Sequence, residues 1–428
     1  MNPQRLVIVD GVRTPFSKAG GELAALGADE LGRIAVSALL ARTALDPKLV
    51  DQVIFGCVAQ PADAANVARV IALRAGIPES VPAITVHRNC ASGCEALTQA
   101  DELMRVGRGA IFIVGGTESM SNIPLLFRRA AAEKFGRLQR AKTFGQRLRA
   151  MASFRPADFS PRVGLMLGLT DPVCGLNMGE TAELLARDFS ICRAEQDAFA
   201  LQSHQRALAA RDRMAEEIAP LFLTNNGAHP VTHDNGPRDG QNLGALAKLK
   251  PVFDRRHGTV TAGNASQITD GAVALLVMSE SRANELGFKP LGALAGYAYA
   301  GCDPKRMGLG PVFAIAQAET QCGLTLNDAD LIEINEAFAA QTLAVMKAAQ
   351  SEEFARNYLG RDQPLGEISP DKLNVNGGAI ALGHPVGASG ARLALTSLKE
   401  LHRRNQKRAL VSVCVGGGQG AALWLERM

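Results

Sequence analysis

The sequence predicts an α/β protein made of two similar halves, with a further domain inserted between them. Three observations predict this organisation. Short runs of β-branched residues alternate with longer runs rich in alanine and leucine, the pattern of strands and helices in alternating layers. A helix–strand pattern found near residue 90 returns near residue 390, which indicates a duplication. Between these two occurrences, residues 122–250 depart from the pattern.

Length and composition are those of a globular enzyme. The 428 residues suffice for two or three domains of about 150 residues each. A hydrophobic fraction of 47% and a charged fraction of 21% exclude a disordered chain and a coiled coil. The 43 glycines favour a backbone that turns tightly around small ligands. A net charge of +4 is too small to indicate nucleic-acid binding.

The cysteines and the N-terminus indicate the compartment. Eight cysteines are spread along the chain without the paired spacing of a zinc site, so we expect no bound metal and a reduced, intracellular protein. We interpret residues 6–10 as a strand, not as part of a signal peptide. No apolar run approaches the ~18 residues that a membrane-spanning helix needs. We therefore expect a cytoplasmic, bacterial-type protein without a signal or transit peptide.

Six apolar runs are predicted strands, and six longer runs are predicted helices. The strands are residues 6–9, 52–55, 110–114, 272–278, 329–334 and 409–415. The helices are residues 31–44, 65–75, 94–106, 181–189, 193–211 and 389–403.

The duplication rests on two segments that read alike. Residues 90–97 open a helix with Ala-Ser-Gly, and an apolar strand ending in two glycines follows at 109–116. Residues 387–393 open another helix with Ala-Ser-Gly, followed by a strand and glycines at 408–416. The alternative is a chance likeness between two ordinary helix–strand units. The predicted domains are 1–121 with 251–279 (first half), 122–250 (an inserted loop domain) and 280–428 (second half).

Residues 122–177, here called the basic segment, carry local positive charge. Ten lysines and arginines stand against three acidic residues, a net charge of +7. Apolar residues recur every three or four positions from 135 to 151, which predicts one basic amphipathic helix. The helix either packs on its own domain with a solvated face, or meets a membrane surface or a partner subunit.

Cys90 and His384 are candidate catalytic residues. Cys90 lies where a helix is predicted to begin, so we expect the helix dipole to lower its pKa and favour the thiolate. The alternative is a buried, inert cysteine. His384 stands among five glycines in residues 374–390, an unusual density for a structural histidine. A neutral histidine there could accept the proton of a thiol.

Two further segments end predicted strands. Cys414 precedes the glycine run 416–418, whose backbone N–H groups could point at a developing anion. Asn335 in Asn-Glu-Ala-Phe-Ala could hold a water or a carbonyl oxygen. Taken alone, either segment could be an ordinary turn.

Together these segments resemble the thiolases, that is, acetyl-CoA acetyltransferases and 3-ketoacyl-CoA thiolases. The resemblance runs nearly end to end. It rests on residues 12–16 (VRTPF), 90–97 (CASGCEAL), 115–121 (GGTESMS), 178–183 (MGETAE), 258–266 (GTVTAGNAS), 335–339 (NEAFA), 383–390 (GHPVGASG) and 414–420 (CVGGGQG). It implies a layered α-β-α-β-α thiolase fold of two duplicated halves with a loop domain.

The resemblance implies a role for each site residue. Cys90 would be the nucleophile that becomes acylated, and His384 the base that activates it. Cys414 would be a second acid/base that exchanges a proton with C2 of acetyl-CoA. Asn335 would hold a water that, with His384, forms an oxyanion hole for the thioester enolate. The N–H groups of Cys90 and Gly416 would form a second hole for the tetrahedral intermediate.

Coenzyme A and acyl-CoA would be substrates, with no permanently bound cofactor and no metal. By motif position Ser266 would meet the pantetheine, and Arg238 would lie near the adenine. The channel would be lined by Phe253, Met178, Ala337, Phe338 and Met307. Two positions depart from the family pattern: Gln267 replaces the usual glycine, and Asn177 stands where many short-chain members have histidine.

The resemblance implies reversible thiolysis of 3-ketoacyl-CoA in fatty-acid β-oxidation. The alternative is a biosynthetic acetyl-CoA acetyltransferase. A decarboxylating condensing enzyme would need histidine in place of Asn335 or Cys414, and a non-catalytic lipid carrier or scaffold should lack Cys90 or His384. Expected partners are a second copy of the chain, as a dimer or dimer of dimers, and a hydratase/dehydrogenase subunit or a membrane at the basic segment. No nucleic acid is expected.

Overall fold

The computed structural model describes residues 4–223 and 229–428. Its strands are β1 Leu6–Arg13, β2 Ser17–Lys18, β3 Gln52–Gly56, β4 Ala83–Val86, β5 Ile111–Ser119, β6 Leu125–Leu126, β7 Arg162–Val163, β8 Thr269–Ser279, β9 Gly292–Gly301, β10 Leu331–Ile334, β11 Arg408–Val415 and β12 Gln419–Arg427. Its α-helices are α1 Ala28–Thr43, α2 Val67–Arg74, α3 Ser92–Arg105, α4 Arg129–Arg140, α5 Phe144–Ala152, α6 Gly164–Gly168, α7 Met178–Asp188, α8 Arg193–Ala209, α9 Arg211–Ala215, α10 Leu243–Ala247, α11 Glu280–Glu285, α12 Gly310–Cys322, α13 Ala339–Gln350, α14 Glu352–Phe354, α15 Ala379–Leu382 and α16 Ser389–Arg404.

The strand order repeats between the two halves. In the first half the order is β1-β8-β5-β3, with β8 antiparallel to both neighbours and β5 parallel to β3. In the second half the order is β9-β12-β11-β10, with β12 antiparallel to both neighbours and β11 parallel to β10. Order and direction are the same in both, which is the pattern of a duplication. The halves join where β1 pairs with β9.

Five layers of helix and sheet surround the core, as predicted. Helices α3 and α16 pack against each other between the two halves and bury apolar residues from the strands of both. Helices α1 and α2 cover the outer face of the first half, and α12 and α13 cover that of the second. Strand β8 is buried along its whole length because layers cover both of its faces.

Two predictions about elements are wrong in detail. The basic amphipathic helix is two helices, α4 and α5, because Thr143 caps α5 with its side chain and forms a capping box with Gln146. Strands β9 and β12 were not predicted: β9 is rich in glycine and alanine, which sequence propensity does not assign to strands. Among the described residues, no helix is long and apolar enough to cross a bilayer.

Candidate active site

Cys90 lies in a short loop between β4 and α3. Ser92 holds this loop: its side chain accepts a hydrogen bond from the Arg88 N–H (2.9 Å) and donates one to the Asn89 carbonyl (2.7 Å). Asn89 has φ 43°, a left-handed conformation that asparagine tolerates. Its side-chain amide donates to the Gly416 carbonyl at 2.7 Å, which ties the Cys90 loop to the glycine run of the second half.

The expected lowering of the Cys90 pKa is wrong. Burial raises the pKa of this thiol to about 11, although the N–H groups of Gly416 and of Cys90 itself hydrogen-bond to the sulfur and oppose that rise. The nearby Glu118 carboxylate raises it further. Since α3 begins only at Ser92, desolvation outweighs the helix terminus. At neutral pH Cys90 therefore rests as a thiol, and it needs a base.

His384 is the candidate for that base. Burial, assisted by the charge of Arg392, lowers the pKa of His384 to about 4, so the imidazole is neutral at pH 7. Its Nδ1 lies 2.6 Å from the Ser389 hydroxyl, which itself donates to the Pro385 carbonyl at 3.1 Å. This arrangement assigns the ring proton to Nδ1. Nε2 then carries a lone pair and faces Asn335 Nδ2 at 3.3 Å.

Asn335 follows β10 and is fully buried. Its backbone N–H donates to the Ser412 carbonyl on β11 at 2.9 Å, which fixes the side chain beside His384. The Oδ1 atom has no hydrogen-bond partner among residues 4–223 and 229–428. A buried amide oxygen without a partner can accept a hydrogen bond from a water or a ligand. The arrangement therefore fits the expected water-holding role.

Cys414 and Gly416 lie at the end of β11. Burial, and after it the neighbouring Cys90, raises the pKa of Cys414 well above that of an ordinary thiol, so this side chain stays protonated and can act as an acid. The chain then turns through Gly417 and Gly418, both with positive φ. At Gly418 a Cβ would lie only 2.4–2.9 Å from backbone atoms of Cys302 and Pro304, which is too close, so only glycine fits. This turn directs the Gly416 N–H towards the Cys90 sulfur.

Sequence reasoning assigned no role to Glu118, although it lies in one of the quoted motifs. This buried carboxylate accepts the backbone N–H groups of Val58 (3.0 Å), Ala59 (2.8 Å) and Gly387 (2.9 Å). It thereby joins the loop after β3 to the loop that carries His384. Burial raises the pKa of Glu118, while the three N–H groups oppose that rise. These partners are remote in sequence, so only the fold reveals the role.

A cavity of about 490 Å³ opens beside Cys90. Gly416, Gly417 and Met178 lie at its Cys90 end. One wall comes from residues 164–173 of the basic segment, chiefly its leucine, proline and valine side chains. Val58, Ala59, Ile123 and Val386 also line the cavity. The cavity is mainly apolar and reaches the nucleophile, as an acyl-chain pocket must. The sequence did not predict that the basic segment forms part of it.

The residues predicted to meet coenzyme A are only partly brought together. The Ser266 N–H donates to the Ala337 carbonyl at 2.9 Å, and the Phe253 and Phe338 rings meet edge to face at 6.1 Å. Met307 is 3% exposed and packs in the core of the second half, and its place in a coenzyme A channel stays a prediction.

Arg238 and the two departures from the family pattern also have defined positions. Arg238 is exposed, and its backbone N–H lies 3.3 Å from His204 Nδ1. The Gln267 side-chain amide lies within 3.3 Å of the carbonyls of Gly236 and Ile380, so it ties the loop domain to α15. Asn177 caps α7. Within the described part of the chain, no cluster of His, Cys, Asp and Glu could hold a metal ion.

Comparisons with family models and with known proteins cover nearly the whole chain. Residues 6–281 match the family model described as thiolase, N-terminal domain, and residues 288–427 match thiolase, C-terminal domain. A 3-ketoacyl-CoA thiolase of Serratia proteamaculans is 42% identical over 99% of this chain and 97% of its own length. A 3-ketoacyl-CoA thiolase of Escherichia coli is 41% identical, with the same coverage.

Solved structures agree with these matches. Acetyl-CoA acetyltransferase of Bacillus anthracis superposes with a TM-score of 0.86 at 37% identity, covering 99% of both chains. Human mitochondrial 3-ketoacyl-CoA thiolase in complex with CoA superposes with a TM-score of 0.85 at 38% identity, covering 99% of this chain and 98% of that one.

Proposed function

Because this chain belongs to the thiolase family, we propose that it cleaves 3-ketoacyl-CoA with CoA to acetyl-CoA and a shortened acyl-CoA, through an acyl group on Cys90. The observation that carries the proposal is the cavity that reaches Cys90, with the Gly416 N–H beside the thiol. Cys414 neighbours Cys90, and His384 pairs with the amide of Asn335. Cys90 and Cys414 rest as thiols and His384 as a neutral imidazole, which are the states that the reaction needs.

The first half-reaction begins when the Cys90 sulfur attacks C3 of the substrate and its proton passes to His384 Nε2. The bond between C2 and C3 breaks, which leaves the acyl group on Cys90 and an enolate of acetyl-CoA. Cys414 supplies the proton that C2 takes up. His384 and a water held by Asn335 would stabilise the enolate oxygen. Acetyl-CoA then leaves.

The second half-reaction transfers the acyl group to CoA. The CoA sulfur attacks the acyl carbonyl, and its proton passes to the Cys414 thiolate. The N–H groups of Cys90 and Gly416 stabilise the tetrahedral oxyanion, a contribution worth about 10²–10³ in rate per donor. When this intermediate collapses, the Cys90 sulfur takes back the proton from His384. All groups return to their initial protonation states.

The size and the apolar lining of the cavity suit acyl chains longer than four carbons. This favours the degradation of 3-ketoacyl-CoA over the biosynthesis of acetoacetyl-CoA. The test is CoA-dependent cleavage of 3-ketoacyl-CoAs from four to sixteen carbons. We expect higher kcat/KM for medium and long chains than for acetoacetyl-CoA. Leu165→Trp, which fills the cavity, should lower kcat/KM for long chains by about 10-fold and leave acetoacetyl-CoA nearly unaffected.

Met166→Trp is the matched control, because this neighbour is 53% exposed and does not line the cavity. It should leave the whole chain-length profile unchanged. A wild-type enzyme that cleaves only acetoacetyl-CoA would favour the biosynthetic alternative instead.

We also propose that two copies pair through β4. This strand ends the sheet, with no neighbour on its outer side among the described residues, and Ile84 on it is 39% exposed. An apolar, unpaired edge is a template for pairing with a second strand. Sedimentation equilibrium should give twice the 45.2 kDa chain mass. Ile84→Lys should shift the population to monomer; a wild-type monomer would contradict the proposal.

A further inference from the structure

The basic segment exposes an unusual amount of apolar surface. Of the 21 large hydrophobic side chains exposed in the described residues, 12 lie within residues 122–177. They are Leu125, Leu126, Phe127, Phe135, Phe144, Leu148, Met151, Phe159, Val163, Met166, Leu167 and Val173. Exposed apolar patches on a soluble protein mark sites of interaction with another surface.

Helix α5 shows the feature most clearly. Phe144, Leu148 and Met151 recur at helical spacing on one face, and they are 82%, 58% and 60% exposed. The helix has no buried residue. An amphipathic helix normally turns its apolar face to its own core. Here that face is turned to solvent, so the helix is built to meet something outside the chain.

A cluster of phenylalanines, three of them partly exposed, explains how the segment holds its shape without burying the apolar face of α5. Phe135 packs on Phe127 and Phe154, with ring centroids 5.0 Å and 4.8 Å apart, and Phe154 stacks on Phe159 at 5.6 Å. Lys134 and Asp158 form an ion pair at 2.6 Å beside this cluster. The aromatic cluster and the ion pair join α4 to the turn after α5. The apolar side chains of α5 take no part in these contacts.

The charges on the segment indicate the chemistry of the missing surface. Of its ten basic residues, only Arg129 and Lys134 form ion pairs within the described part of the chain. The other eight are Arg128, Arg137, Arg140, Lys142, Arg147, Arg149, Arg155 and Arg162. Unpaired cations interleaved with exposed phenylalanine, leucine and methionine are typical of a face that lies in the interface of an anionic bilayer.

The same segment leads to the acyl cavity. Strand β6 pairs with β7, and β7 is followed directly by residues 164–173, which wall the cavity beside Cys90. Leu167 and Val173 belong both to the cavity wall and to the exposed apolar surface, being 39% and 83% exposed. The apolar surface is therefore continuous with the pocket that ends at the nucleophile.

We infer that the basic segment docks on anionic lipid bilayers and that long acyl chains reach the cavity from that surface. The docking rests only on the exposed apolar and basic side chains. The entry of acyl chains also rests on the proposed thiolase function. Docking is peripheral, since the apolar groups lie on short surface helices.

Docking is tested with the full chain by co-sedimentation with vesicles of phosphatidylglycerol and phosphatidylcholine, against pure phosphatidylcholine. The wild type should pellet with the anionic vesicles only, and less so at high salt, because charge attraction is screened beyond about 10 Å at 0.1 M. Replacing Arg137, Arg140, Arg147 and Arg149 by Gln should weaken binding by about 10-fold or more. The pair Phe144→Ser and Leu148→Ser should weaken it without any change in charge.

A control variant removes four exposed cations elsewhere: Lys48, Arg108, Lys289 and Arg356, each replaced by Gln. It matches the first variant in net charge and should bind vesicles like the wild type. Equal loss in both variants, or a wild type that stays in the supernatant, would overturn the proposal and leave a protein as the partner of this face.

Activity separates docking from the proposed function. We expect anionic vesicles to stimulate long-chain cleavage by the wild type. The variant lacking the four arginines of the basic segment should cleave acetoacetyl-CoA in solution at the wild-type rate, but vesicles should not stimulate its long-chain cleavage. Vesicle binding without any thiolysis would contradict the function and leave the docking intact. Thiolysis without vesicle binding would contradict the docking alone.

Discussion

Replacing Cys90 by alanine is expected to abolish thiolysis, with a fall in kcat of at least about 10⁴-fold. Cys90 is the thiol that the cavity, the Gly416 N–H and the His384 loop jointly surround. Without its sulfur no acyl-enzyme can form, and no other described cysteine lines the cavity. The measurement is the CoA-dependent loss of 3-ketoacyl-CoA absorbance, with circular dichroism to check the fold.

Cys94→Ala is the matched control. Cys94 lies one helical turn further along α3, buried in the central core. Its loss should lower stability by about 1 kcal/mol or somewhat more and leave most of the activity. If Cys90→Ala kept a tenth of the wild-type rate, the nucleophile would have to be sought elsewhere.

Replacing Cys414 by alanine should separate the two kinds of chemistry. Exchange of an acyl group between acyl-CoA and CoA through Cys90 needs no proton transfer at C2, so Cys414 never becomes a thiolate in that reaction. His384 alone carries the proton between the Cys90 and CoA sulfurs, and exchange should therefore continue at a rate near that of the wild type. Cleavage of 3-ketoacyl-CoA requires a proton for C2 and should fall by about 10²–10⁴-fold. Isotope exchange between labelled CoA and acetyl-CoA measures the first reaction, and thiolysis measures the second.

The raised pKa of Cys414 is the physical reason for this difference. A buried thiol beside Cys90 stays protonated at neutral pH and is ready to donate. Cys322→Ala removes a thiol on α12, on the outer layer of the second half, and should affect neither reaction. Equal losses of exchange and thiolysis in Cys414→Ala would mean that Cys414 supports the fold of the site.

Much of the site could be predicted because its residues lie in short motifs at element ends. Cys90 precedes a helix, Cys414 ends a strand, and Asn335 follows one, all as the sequence indicates. The roles that were missed depend on partners remote in sequence. Ser389 assigns the tautomer of His384. Glu118 joins the loop of Val58 and Ala59, which lies 59 to 60 residues before it, to the loop of Gly387, which lies 269 residues after it.

The errors have the same origin. The dipole argument for Cys90 considered only the adjacent helix, whereas the pKa of this thiol is raised by its burial in the folded chain. For the basic segment, apolar periodicity predicted one helix and left open whether its apolar face packs on its own domain or meets another surface. In the structure the helix is interrupted at Thr143, and the apolar side of α5 faces solvent. Periodicity alone cannot distinguish an apolar face turned to solvent from one packed on its own domain.

The most direct test of the account is the covalent intermediate. The enzyme is mixed with 3-ketodecanoyl-CoA in the absence of free CoA, and its intact mass and proteolytic peptides are measured. The account predicts one octanoyl group per chain, on Cys90, together with one equivalent of acetyl-CoA, and release of the octanoyl group when CoA is added. An acyl group on any other residue, or acetyl-CoA formed without an acyl-enzyme, would contradict it.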